Sequence, residues 1–96
     1  RELIESVLSD FDEEATAQVA SVTDFAGKKE YESMRRELHT LKGNAGTLGI
    51  ERLAAVAKEM EKKLKSKDYK YMNKQLGELK KCLTEFKESY ANFLTT

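Results

Sequence analysis

The stretch YKYMNKQLGELKKCLTEFKESYANF, running from Tyr69 to Phe93, decides the fold. Within it Tyr69, Met72, Leu76, Leu79, Leu83, Phe86, Tyr90 and Phe93 recur at alternating intervals of three and four. On a helix of about 3.6 residues per turn that spacing stacks the apolar side chains into one seam and leaves lysines and glutamates on the other face. A helix with one apolar seam must bury it against other elements, so the remainder of the chain has to supply partners.

It supplies three. Ser66-Lys67-Asp68 is a short polar connection, with Asp68 suited to capping the last helix, and it is preceded by Ile50, Leu53, Val56, Ala57, Met60 and Leu64 at helical spacing over about residues 50–65. Leu3, Ile4, Val7, Leu8, Phe11, Ala15, Val19 and Val22 predict a first helix over about residues 2–23, punctuated by Asp24-Phe25-Ala26-Gly27. Between them, about residues 29–48 form a helix with the stripe Tyr31, Met34, Leu38, Leu41 and Ala45, closed by Gly49 in the left-handed position that glycine adopts cheaply. Four stripes joined by short links predict an all-α fold, an antiparallel up-down-up-down four-helix bundle, as a single domain over residues 1–96. The stripes read as core rather than as a cofactor box, and Cys82, beside the last seam, reads as a small buried hydrophobe.

Composition narrows the function classes. Seventeen basic and seventeen acidic residues cancel, and read along the whole chain as interspersed they favour neither nucleic acid nor an anionic membrane as a partner. No apolar run is long enough to span a bilayer and no signal peptide is evident, so the expectation is a soluble, cytoplasmic domain without membrane contact of its own. With one cysteine no internal disulfide forms, which fits a reducing compartment. The start at Arg1, without methionine and inside a helical pattern, is read as a piece of a longer protein.

His39 is the sole histidine. It sits about 120° around the second helix from the apolar stripe, so the imidazole should face solvent, with Arg35, Lys42, Gly43 and Gly46 within about 60° of it. Gly43 and Gly46 each cost a helix interior about 1 kcal/mol relative to alanine, which asks for a compensating need such as close approach of another molecule. Metal binding is disfavoured, because one histidine and one distant cysteine do not make a ligand set. Triad hydrolysis is disfavoured too, since the expected setting is a convex helix face and Thr40 points about 100° away. The third chemistry is nucleophilic catalysis by the ring, set against the plainer reading of an ordinary surface histidine with a lysine one turn on. A solvent-facing imidazole is largely neutral at cytoplasmic pH and its free nitrogen can attack phosphorus, while Lys42 and Arg35, one turn either side, can neutralise phosphoryl oxygens. Phosphoryl transfer is chiefly positioning and electrostatics, so a partner bringing its own carboxylate and metal needs little more here.

The run His39-Thr40-Leu41-Lys42-Gly43-Asn44-Ala45-Gly46-Thr47-Leu48-Gly49 resembles the signature of the histidine-containing phosphotransfer (HPt) domains of multistep phosphorelays, and the resemblance extends over the whole chain. It implies that His39 is phosphorylated at Nε2 by the aspartyl phosphate of one receiver domain and passes the group to another. It further implies that Lys42 stabilises the phosphoryl group and that Gly43 gives the receiver access. Arg35, Arg36, Asn44 and Gly46 become candidates for partner contact. No cofactor is implied, since the Mg²⁺ of the transfer belongs to the receiver, and no ATP-dependent kinase activity of the domain's own. The expected setting is a monomeric HPt domain of a hybrid sensor histidine kinase, which could itself be membrane-anchored. Glu37 and Asn44 depart from the residues usual at their positions and are expected to tune partner choice.

Two other readings compete. The dimerising phosphoacceptor helix of a sensor kinase normally has an acidic residue after its histidine and a proline further on; here Thr40 comes next and the chain has no proline. A non-catalytic helical module that docks receivers or other partners is the alternative from a different class, and His39 discriminates between it and a transfer domain.

Overall fold

The computed structural model describes residues 2–95, with side chains over residues 4–92. Four helices succeed one another, α1 (Glu2–Gly27), α2 (Tyr31–Thr47), α3 (Glu51–Lys65) and α4 (Met72–Thr95), and no strand occurs among the described residues. Each helix packs on its neighbours in sequence, and α1 closes the ring against α4. Short turns reverse the chain three times, giving the antiparallel bundle that the four stripes require.

The stripes converge as their periodicity demands. Ala15, Val22, Met34, Leu38, Leu41, Leu53, Met60 and Leu79 are sealed from water at the centre, and Cys82 is buried beside them, its thiol pushed up by loss of solvent. Ile4 and Val7, which belong to the first stripe, are exposed instead. The reason is length: α1 and α4 have 26 and 24 residues against 17 and 15 for α2 and α3, so the outer turns of the long pair overhang the short pair. Phe11 and Phe86 still meet edge to face at 5.2 Å across the α1–α4 seam, and Lys87 of α4 ties to Asp12 and Thr16 of α1. Leu3 and Phe93, the outermost members of their stripes, lie outside the described side chains.

Element ends differ from the expected ones for local reasons. Helix α1 runs through Asp24-Phe25-Ala26 to Gly27, because Phe25 and Ala26 pack against the core and reward another turn of helix. Helix α4 starts at Met72 rather than just after Asp68, whose carboxylate accepts from the Lys70 amide at 3.2 Å and so organises the turn, not the helix. Tyr69, freed from the helix, stacks on Tyr31 with ring centroids 3.9 Å apart.

All three interhelical turns share one hydrogen-bond pattern. In each, a residue in the left-handed region donates to the carbonyl three residues back, and the next residue donates to the carbonyl five back, as in Lys29 to Ala26 and Glu30 to Phe25. Gly49 takes the left-handed position between α2 and α3, as its sequence position predicts. At the other two turns the position is filled by Lys29 and Lys67.

Candidate functional site

His39 projects from the middle of α2 and its side chain is 63% exposed. The apolar stripe fixes this outcome: Leu38 and Leu41 on either side in sequence are fully buried, and a residue between them on a helix must turn outward. Thr40, the neighbouring hydroxyl, bonds back to the Arg36 carbonyl at 3.2 Å and takes no part with the ring.

The ring is not free to rotate. Its Nδ1 lies 2.8 Å from Oε2 of Glu61, which reaches across from α3. Glu61 is 3% exposed, an acid within the buried face of its helix. Its other oxygen accepts from Lys42 Nζ at 2.7 Å, while Arg35 and Lys65 place cationic nitrogens 3.8 and 3.7 Å from Oε2. Burial pushes this carboxyl up, but the hydrogen bonds from Lys42 and His39 outweigh it and hold it below its usual value. A carboxylate so held accepts a proton-bearing Nδ1, and that fixes the tautomer: the lone pair is left on Nε2, on the solvent side of the ring.

Helix geometry distributes the other candidates around this axis. Arg35 and Lys42 lie on the α3 side of His39, anchored to Glu61, with Arg35 also held by Glu32. On the opposite side Gly43, about 40° round, opens the helix surface, and Gly46, two turns on and nearly in line with the ring, is bare and exposed as well. A methyl group added at Gly43 or Gly46 would touch nothing within 4 Å, so the packing of the bundle does not explain these glycines. Arg36 turns away to pair with Glu32 at 3.6 Å and is well exposed. Asn44 faces α1, in a hollow shared with Val7, Asp10 and Phe11, and does not join the imidazole. The candidate set thus divides: His39, Lys42, Arg35, Gly43 and Gly46 share one face, whereas Arg36 and Asn44 flank it.

Glu61 is the member that the sequence pattern did not single out. Its signal was present, since Glu61 stands four residues after Ala57 and three before Leu64, on the buried side of the third stripe. A carboxylate in that register needs a cationic or hydrogen-bonding partner.

The arrangement offers an exposed, oriented imidazole nitrogen, a buried anion behind it, cations on one flank and open space on the other. Comparison with curated proteins and with solved structures finds no match. Residues 6–89 match the family model of the Hpt domain, which covers most of the 96-residue chain, and the protein therefore belongs to the Hpt domain family, whose role is histidine phosphotransfer in phosphorelays.

Proposed function

We propose that His39 is the phosphorylated residue, taking the group from the aspartyl phosphate of one receiver domain and delivering it to the aspartate of another. The observation that carries this reading is the bond from Nδ1 to a buried carboxylate, which leaves Nε2 as an exposed nucleophile. In the forward step the Nε2 lone pair forms the P–N bond as the P–O bond to the donor aspartate breaks, and that carboxylate leaves with the electron pair. The ring, already protonated at Nδ1, becomes cationic as the bond forms, and the Glu61 carboxylate 2.8 Å away stabilises that charge. The metal of the reaction, Mg²⁺, comes with the receiver.

Lys42 is assigned to the phosphoryl oxygens. Its ammonium, 30% exposed and bound to Glu61, is one turn from the ring, within reach of a group held at Nε2. Gly43 and Gly46 are assigned to the close approach of the receiver, and Arg35 to its orientation.

Incubation of the domain with a phosphorylated receiver and Mg²⁺ tests the proposal. Label should appear on the domain, resist alkali, be lost in acid, and be absent from a folded His39→Gln variant. Label that persists in His39→Gln would move the site elsewhere, and receiver binding without label would make this an interaction module.

A further inference from the structure

The turn between α1 and α2 and the turn between α3 and α4 lie at the same end of the bundle, brought together by the Tyr31–Tyr69 stack. Net neutrality conceals what gathers there. Between Glu2 and Gly27 the chain has no lysine or arginine, while the segment from Lys62 to Lys74 carries six lysines and a single acid, Asp68. Helix α1 is thus acidic throughout, and the segment around the α3–α4 turn makes this end basic.

Its turns are also built against their own conformational preference. Lys29 and Lys67 occupy the left-handed region at φ 58° and 57°, where glycine serves at the third turn at no steric cost. Lysine is thus held at the tip of both turns of one end, at positions where backbone stability favours its replacement.

Between the turns lies a hollow of about 330 Å³ whose lining includes Lys29, Lys70, Lys74, Tyr31, Tyr69 and Tyr71, with no carboxylate among its walls. Of the nearby acids, Asp24 pairs with Lys28 at 3.1 Å and Asp68 accepts from the Lys70 amide, while Glu30, exposed beside Lys29, acts on Lys28 and is outside the lining. Lys63 sits over the Tyr71 ring at 5.1 Å, which adds a further cation at the rim.

We propose that this hollow binds a multiply charged phosphate group, the three ammonium groups sharing its oxygens and the tyrosine rings receiving the rest of the ligand. Three lysines from two segments, Lys29 from one turn and Lys70 and Lys74 from the other, supply point charges suited to several oxygens on one centre, rather than the planar fork that matches a lone carboxylate. A soluble diphosphate and the headgroup of a phosphomonoester lipid share this chemistry. The site lies beyond the His39 face and does not depend on the transfer reading.

Two arms test it. Inorganic pyrophosphate is titrated at physiological salt while backbone amide resonances are recorded by NMR, and co-sedimentation is measured with phosphatidylcholine vesicles containing phosphatidic acid. Saturable binding in either arm is expected, with shifts over residues 28–31 and 69–74 in the soluble case. Response to pyrophosphate assigns a soluble ligand, and response to vesicles alone assigns a lipid headgroup. The triple variant Lys29→Gln/Lys70→Gln/Lys74→Gln should weaken binding at least about tenfold. The charge-matched Lys58→Gln/Lys80→Gln/Lys81→Gln variant and His39→Gln should bind as the wild type does. Absence of saturable binding in both arms, or equal weakening by the two triple variants, overturns the proposal.

Discussion

Glu61 Oε2 stands 2.8 Å from His39 Nδ1, joining the C-terminal third of α3 to the centre of α2 through a carboxylate that solvent scarcely reaches. This pair makes an exposed surface histidine into an oriented one, and its consequences are measurable. In the unphosphorylated domain, nitrogen-15 NMR should find the proton on Nδ1. Glu61→Gln keeps an acceptor in place but removes the charge, and phosphoryl transfer should slow by about tenfold or more, as when orienting partners of other imidazoles are removed. A transfer rate equal to wild type would show that the pair is merely structural.

The same carboxylate links stability to pH. Its folded-state value lies below the ordinary 4.5, so the unfolded chain takes up this proton first as the solution is acidified. The contribution of Glu61 is therefore complete above 4.5 and is lost as pH falls through its lowered folded value. Denaturant midpoints of wild type and Glu61→Gln, compared from neutral pH downward, should converge in acid. A gap that holds constant through that descent contradicts the assignment.

Gly43 separates the needs of the fold from those of the partner. With open space where its Cβ would be, Gly43→Ala should stabilise the helix by about 1 kcal/mol, read from the thermal or denaturant midpoint. Gly43→Gln should leave the bundle folded and slow transfer by obstructing the receiver. If bulk at this position leaves the transfer rate unchanged, close approach there is unnecessary.

The lysine-tipped turns give a second stability test. Lys29→Gly and Lys67→Gly should each raise stability, by about 1 kcal/mol, since the left-handed backbone is already formed and only the side-chain penalty is removed. Loss of stability in both would mean that their side chains make native contacts worth more than the strain.

How much of the fold and the site was legible in the sequence depended on range. The seam from Met72 to Tyr90 and the burial of Leu38 and Leu41 beside an exposed His39 come from helical periodicity alone, which is a local property. Gly49 was readable as a helix terminator because its backbone requirement is its own. The end of α1 was misread because Phe25 and Ala26 gain contacts with the core, and that gain overrides the breaking tendency of Asp24 and Gly27. Glu61 lies 22 residues from His39, and their meeting depends on how α3 is rotated against α2, which no periodicity in either helix specifies. The lysine-rich end was hidden by reading charge over the whole chain, where it cancels, rather than over the segment from Lys62 to Lys74, where it does not.

The central claim is that His39 carries the phosphoryl group on the nitrogen facing away from Glu61. Labelling the domain from a phosphorylated receiver, then recording phosphorus–nitrogen correlation NMR on nitrogen-15 histidine, locates the bond directly. Phosphorus is expected on Nε2, with Nδ1 still protonated toward Glu61. Phosphorus on Nδ1, or a labelled domain with no phosphorus on either ring nitrogen, contradicts the claim.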